Sequence, residues 1–146
     1  MPETVELWVR RYVEFFTRLQ EPDLERLDTL FTPDARFKDP FNDVMGVEQI
    51  AAVFHHMFQQ CPAPRFHVHG WAIQGNTVFL HWRFLDREDD AAGRWRLDVD
   101  GVSRVLFNEE GKVFSHIDYW DPAEHLYEQL PLVGSLLRFI RRRIAI

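Results

Sequence analysis

Residues 65–85 read Arg65-Phe66-His67-Val68-His69-Gly70-Trp71-Ala72-Ile73-Gln74, then Gly75-Asn76, then Thr77-Val78-Phe79-Leu80-His81-Trp82-Arg83-Phe84-Leu85. Apolar and polar side chains alternate through much of both runs, which is the period of a strand with one buried face. Gly75-Asn76 between them is turn chemistry, so the stretch predicts a β-hairpin. The same pattern continues downstream. Strand-like runs cover Arg65 to Gln74, Thr77 to Arg87, Arg94 to Asn108 and Lys112 to Trp120, separated by Gly75-Asn76, Asp89 to Gly93 and Asn108 to Gly111. Three consecutive hairpins predict an antiparallel meander.

Upstream of Pro62 the period is helical. Thr4 can cap a helix whose face carries Leu7, Val9, Tyr12, Val13, Phe15, Phe16 and Leu19. Asp23, after Pro22, is placed to cap a shorter second helix with Leu24, Leu27, Leu30 and Phe31. Thr32-Pro33-Asp34 then turns into an extended piece from Ala35 to Pro40, and Phe41 to Gly46 reads as a loop. A third helix runs from Val47 to about Gln60, with Ile50, Val53, Phe54, Met57 and Phe58 on one side. Helices first and a meander after give an α+β layout, with helices covering one face of a curved antiparallel sheet. Residues 1–122 form one domain in this reading.

Residues 123–146 read as a C-terminal amphipathic helical extension of that domain, broken at Pro131. Val133, Leu136, Leu137, Ile140 and Ile144 keep helical spacing, while Arg138, Arg141, Arg142 and Arg143 lie mostly elsewhere on the helix. The expected arrangement packs this helix on its own domain or on a partner subunit. Contact of the arginines with a membrane surface is the alternative.

Composition bounds the function. The net charge is −6; without the four tail arginines, 13 basic residues face 23 acidic ones, leaving −10. That balance argues against general nucleic-acid binding. Cys61 is the single cysteine, so no intrachain disulfide can form, and a reducing, cytoplasmic setting is expected. Gln60-Cys61-Pro62 reads as a loop position rather than a nucleophile. The N-terminus lacks a basic-then-apolar leader pattern, and no apolar run reaches membrane-spanning length. Glycine-rich phosphate loops and Gly-x-Ser-x-Gly are absent. His67 and His69 share one strand face and His55-His56 are adjacent on a helix, but neither pair has a third ligand at metal spacing, so no metal is expected. Thirteen Phe, five Trp and three Tyr suit either a Phe-rich core or a cavity wall built of stiff rings.

Several motifs resemble ketosteroid isomerases and their SnoaL-like relatives, in the nuclear-transport-factor-2-like superfamily. They are Arg11-Tyr12-Val13-Glu14, Asp23-Leu24-Glu25, Asp34-Ala35-Arg36-Phe37-Lys38-Asp39-Pro40-Phe41 and Gly46-Val47-Glu48-Gln49-Ile50-Ala51-Ala52. Phe107-Asn108-Glu109-Glu110-Gly111-Lys112-Val113 and Asp118-Tyr119-Trp120 complete the set. The resemblance implies a cone of helices on a curved sheet, a homodimer and no redox cofactor. It leaves activity open, because the superfamily hosts isomerases, cyclases, epoxide hydrolases, dehydratases and non-enzymatic binders.

Carried over by position, the isomerase general base falls on Asp39 and the oxyanion-donor tyrosine on Tyr12. The second oxyanion donor, a protonated Asp in the isomerases, is Ser103 here. A hydroxyl is the weaker donor. Limonene epoxide hydrolases carry an acidic run that Asp118-Tyr119-Trp120-Asp121 echoes, but the Arg and Asp they also need would fall on Trp82 and Phe84. Strand parity adds an independent expectation: His116, Asp118 and Trp120 share one face, inside the cone if the resemblance holds. An Asp–His pair in an apolar chamber suits proton transfer near neutral pH. The expected wall is Phe16, Phe37, Phe54, Leu80, Trp82, Phe84, Val99, Ser103, Val105 and Trp120. A small apolar molecule such as a polyketide, terpenoid or steroid-like ring is the expected ligand, with catalysis by Asp118 and His116 or by Asp39 and Tyr12. The competing expectation is a non-enzymatic binding or assembly domain whose basic tail helix docks to a partner or a membrane.

Overall fold

A computed structural model describes residues 4–61, 63–87 and 97–146. Helix α1 spans Val5–Thr17, and Thr4 caps it by accepting a hydrogen bond from the Leu7 amide. A 3-10 helix follows at Glu21–Thr29 in place of the expected α-helix. Gln20, not Asp23, holds its N-cap position, and the Asp23 carboxylate reaches back to the Gln20 amide. Phe31 is not helical but opens strand β1, Phe31–Lys38, so the strand begins before the Thr32-Pro33-Asp34 stretch read as a turn. The stretch read as a loop contains a three-residue strand β2, Asp43–Met45, clipped to β1 by a two-pronged Arg36–Asp43 ion pair. Helix α2 is Val47–Gln60.

The meander is β3 Arg65–Gln74, β4 Thr77–Leu85, β5 Asp98–Phe107 and β6 Val113–Tyr119. Strand β3 has the bounds read from sequence, β4 and β6 are each two residues shorter, and β5 ends one residue earlier. The expected turn at Asp89 to Gly93 and the start of the next run at Arg94 lie outside the described residues. Strand order is β2-β1-β6-β5-β4-β3. The meander is antiparallel throughout, and β1 adds to β6 in parallel, the one parallel pairing among the described strands. That pairing carries the N-terminal half of the chain to the edge of the last strand and brings α1 across the sheet.

Alternate residues of β4 and β5 point to the helices: Val78, Leu80, Trp82 and Phe84 on one, Val99, Gly101, Ser103, Val105 and Phe107 on the other. With Val9 and Tyr12 of α1, Ile50 and Phe54 of α2, and Phe31 and Phe37 of β1, they make one contiguous core. The result is a mixed α+β cone, its mouth closed partly by the chain after β6. There a single turn α3, Pro122–His125, is capped by Asp121 and followed by a 3-10 turn at Tyr127–Gln129. Helix α4 then runs Pro131–Ile144.

Helix α4 does not bury its apolar side on the domain. Gly134 is the buried residue of this helix, packed against the Glu128 carbonyl, and Arg138 and Arg141 on the same stripe bind the Glu128 carbonyl and carboxylate. Leu132, Val133, Leu136, Phe139, Ile140 and Ile144 face outward, Leu132 and Ile144 more than 80% exposed. The expectation that the apolar face packs on its own domain is corrected here. A glycine permits the close approach, and Arg138 on the Glu128 carbonyl and Arg141 on its carboxylate hold this stripe toward the domain.

Candidate functional site

The inner end of the cone is a chain of hydrogen bonds. Trp82 Nε1 donates to Ser103 Oγ at 2.7 Å, and Ser103 Oγ donates to Asp118 Oδ1 at 2.5 Å. The same Oδ1 lies 2.7 Å from His116 Nε2, and His116 Nδ1 lies 2.6 Å from the Tyr12 hydroxyl. Each member is held by its backbone. Leu80, Ser103 and Asp118 stand in register across β4, β5 and β6, and Val105 pairs with His116 on the same face. Tyr12 reaches in from α1, where Phe16, Phe31 and Phe107 pack edge-on to its ring. Phe37 stacks on the His116 imidazole, with centroids 4.8 Å apart and planes 18° from parallel.

The partners fix the protons. Burial, reinforced by the negative charge of Asp118, pushes the Tyr12 hydroxyl well above its usual range, so Tyr12 stays protonated and donates. His116 Nδ1 must then accept, which places the imidazole proton on Nε2 and aims it at Asp118. Every bond in the chain therefore points toward Asp118 Oδ1. Its other oxygen, Oδ2, accepts no hydrogen bond among the described residues.

Asp118 stands where two cavities meet. An inner pocket of about 60 Å³ is lined by Tyr12, Phe16, Leu80, Ser103, His116 and others. An outer chamber of about 420 Å³ is lined by Asp39, Phe84, Val99, Trp120, Cys61 and others, and the two share Phe37, Phe54, Phe66, Trp82 and Asp118. The inner space suits one or two waters or a ligand's tip. The outer one falls within the size of small-molecule sites. Apart from two rim residues, Asp39 and Asn42, and three at the wall, His56, Gln60 and Asp118, the outer lining is nearly all apolar.

The positions singled out from sequence divide cleanly. Phe16, Leu80 and Ser103 line the inner pocket; Phe84, Val99 and Trp120 line the outer chamber; Phe37, Phe54 and Trp82 border both. Val105 is wholly buried and lines neither. Tyr12 and His116 meet Asp118 in one network. Asp39 does not join it. Its carboxylate accepts from the Phe41 and Asn42 amides at 2.7 Å each and from Asn42 Nδ2, closing its own turn at the rim. Tyr12 is likewise committed, since its hydroxyl serves His116 rather than an open cavity wall.

Sequence reading missed Phe66, Val68, Val53 and Met57 as wall residues. The register set by the Gly75-Asn76 turn would put Val68 opposite Arg83 and Phe66 opposite Leu85; a shift between Val68 and Gly70 instead pairs them with Trp82 and Phe84 on the inner face. Leu126 reaches the outer chamber from the turn after α3, and no periodic signal marks it.

This architecture, helices closing a cone over a bent sheet with polar groups at the apex, defines the nuclear-transport-factor-2-like class. The chain belongs to the SnoaL-like domain family, whose model matches residues 9–116. Solved structures agree in fold. A provisionally assigned isomerase of the SnoaL-like family from Agrobacterium tumefaciens is 21% identical, covering 79% of this chain and 95% of its own, with a TM-score of 0.63. A provisionally assigned SnoaL-like polyketide cyclase from Jannaschia sp. is 20% identical over 78% of this chain and 85% of its own, TM-score 0.65. A protein with a ketosteroid-isomerase-like fold from Catenulispora acidiphila, solved with trimethylamine, is 17% identical over 82% and 88%, TM-score 0.66. No curated protein matches the chain in sequence.

Proposed function

We propose that the cone binds a small, mostly apolar ring-bearing molecule and that Asp118 moves a proton on it, in isomerase- or cyclase-like chemistry. The observation that carries this reading is the state of Asp118: one oxygen is pinned by Ser103 and His116, and the other, at the junction of both cavities, has no donor among the described residues. A carboxylate so held is oriented as a general base. It takes a proton from carbon through Oδ2 and returns it to a neighbouring atom of the same molecule.

The donors in the network narrow the substrate. Trp82, Ser103 and Tyr12 each spend their proton inside the chain of bonds, leaving none of the three free to hold an enolate oxygen. The site therefore suits carbon acids already activated by their own structure, such as a methylene between a carbonyl and an aryl ring or a second carbonyl. Polyketide-like chains have that chemistry, as the comparison with a provisionally assigned polyketide cyclase also suggests. A simple unactivated ketone fits less well.

The test is hydrogen–deuterium exchange at C1 of 2-tetralone in D2O, followed by proton NMR. Full-length protein accelerates the exchange, and Asp118→Asn reduces the acceleration about 100-fold or more. No acceleration by the native chain, or an unchanged rate in Asp118→Asn, overturns the proposal.

A second reading rests on α4, whose outward apolar face sits on a domain that offers it no cover. It makes the helix a docking element for an anionic membrane surface, and it is compatible with a ligand-binding cone.

A further inference from the structure

On the opposite, helix-free face of the sheet, the geometry points to a binding site for a divalent transition metal, Zn2+ by its donor set, formed by His69, His81 and Asp100. These residues come from three neighbouring strands, and one ligand atom of each lies within 4.8 Å of the other two. His81 Nε2 is 2.8 Å from Asp100 Oδ1, and the His69 and His81 rings are 4.9 Å apart.

The backbone explains the grouping. Val68 pairs with Trp82 and Gly70 with His81, so His69 is the extra residue of a bulge in β3. The bulge lets Val68 and Trp71 both stay opposite inward residues of β4, while His69 and Gly70 turn outward together beside His81. Gly70 has no side chain to crowd the space; a Cβ there would touch nothing within 4 Å. Asp100 is the diagonal neighbour of His81, since His81 pairs with Val102. Three ligands thus stand on paired strands and not on a loop, which limits how far they can drift apart.

The chemistry selects the ion. Two imidazoles and one carboxylate suit zinc and its late first-row neighbours, whereas magnesium and calcium prefer oxygen alone. Ligand atoms in a tetrahedral zinc site sit about 3.3 Å apart, given bonds of about 2.0–2.1 Å. His81 and Asp100 already approach that spacing. His69 closes the remainder by rotating an exposed side chain, with no backbone movement. Arg83, opposite Asp100 on this face, is held by Asp98 through two bonds of 2.8 and 2.7 Å, so its charge is largely answered. The fourth position is left to water, as in sites with three protein ligands.

The experiment is isothermal titration of the metal-stripped full-length chain with zinc chloride, with magnesium chloride as the contrast. One zinc per chain binds at sub-millimolar concentration, and His81→Ala weakens it at least about tenfold. Asp100→Asn, which keeps the side-chain size, weakens it too, and zinc shifts the His69 and His81 ring protons in NMR spectra. His55→Ala, in α2, leaves binding unchanged. Absence of saturable zinc binding, equal binding in Asp100→Asn and His69→Ala, or loss of binding in His55→Ala overturns the site. Circular dichroism of each variant identifies any that fails to fold, and the remaining variants then decide.

Discussion

The Tyr12 hydroxyl and His116 Nδ1, 104 residues apart in the chain, meet at 2.6 Å in the buried apex of the cone. One end of that bond lies on the first helix and the other on the last strand. It therefore links the earliest and latest elements of the domain, and through His116 it sets which side of the imidazole faces Asp118. Fold and site share this contact.

Tyr12→Phe should accordingly cost about 1–3 kcal/mol, because it leaves a buried ring nitrogen without its donor. Urea denaturation measures the loss. The pH dependence is more specific. Tyr12 ionises in the folded chain only well above its unfolded value of about 10. Its contribution is therefore fully present below pH 10 and declines above it, as the unfolded chain releases a proton the folded chain keeps. The slope approaches about 1.4 kcal/mol per pH unit. Tyr12→Phe should lose that share of the alkaline slope. Cys61 titrates in the same region in both proteins and cancels in the difference between them. Identical alkaline slopes in the two proteins would contradict the buried, protonated Tyr12.

Cys61 offers a probe of the outer chamber. Burial, with a smaller effect of the Asp86 carboxylate, pushes its thiol up to about 11. At pH 8 about 0.1% is thiolate, against about a quarter for a free cysteine. Alkylation by iodoacetamide should therefore run about 250-fold slower than for a free thiol and climb about tenfold per pH unit toward pH 11. Because Cys61 lines the chamber, 2-tetralone should slow it further when bound. Fast alkylation at pH 8 would show the residue open to water.

How much of this was legible in the residues depends on the range of the signal. The hairpin at Gly75-Asn76 and helix α2 are written locally, in alternation and in helical spacing, and the structure reproduces their bounds at Arg65–Gln74 and Val47–Gln60. The parallel pairing of β1 with β6 depends on residues some eighty positions apart, and nothing near Phe31 announces it. That His116 and Asp118 share a face was readable from strand period; that the face looks into the cone followed only from the family resemblance. That Tyr12 would spend its hydroxyl on His116, and Asp39 its carboxylate on Asn42, was not, since either residue type serves a turn or core as readily as a ligand. The His69–His81–Asp100 cluster was hidden for another reason: a bulge, invisible in the pattern, brings a third strand into reach.

Gly101 tests the apex from the other side. It sits directly opposite Trp82 on β5, and a Cβ there would press into the indole ring, 2.5 Å from Cζ2 and in contact with Cη2. Only a hydrogen lets the indole lie across the strand and reach Ser103. Gly101→Ala should cost about 1–3 kcal/mol by overpacking and alter the near-ultraviolet dichroism of tryptophan as Trp82 leaves Ser103. A variant with native stability and spectrum would mean that the ring has room the geometry does not show.

Helix α4 carries an apolar face with no cover on the domain. At 14 residues it is too short to cross a bilayer, and no described helix is long and apolar enough to do so. Its geometry suits a helix lying on one. The Gly134–Arg138–Arg141 stripe is fixed to Glu128, which turns Leu136, Phe139 and Ile140 away from the protein, while Arg142 and Arg143 in the last turn remain exposed. Apolar side chains would enter the headgroup boundary and the two arginines would meet lipid phosphates, each adding about 1 kcal/mol near an anionic surface. The protein should co-float with vesicles of three parts phosphatidylcholine to one part phosphatidylglycerol at low salt, and less at 0.5 M salt as screening shortens the reach of the charges. Leu136→Asp should abolish flotation without altering the helical dichroism of the domain, because Leu136 contributes nothing to the core. Equal recovery with and without vesicles at low salt would remove the membrane as the occupant of this face.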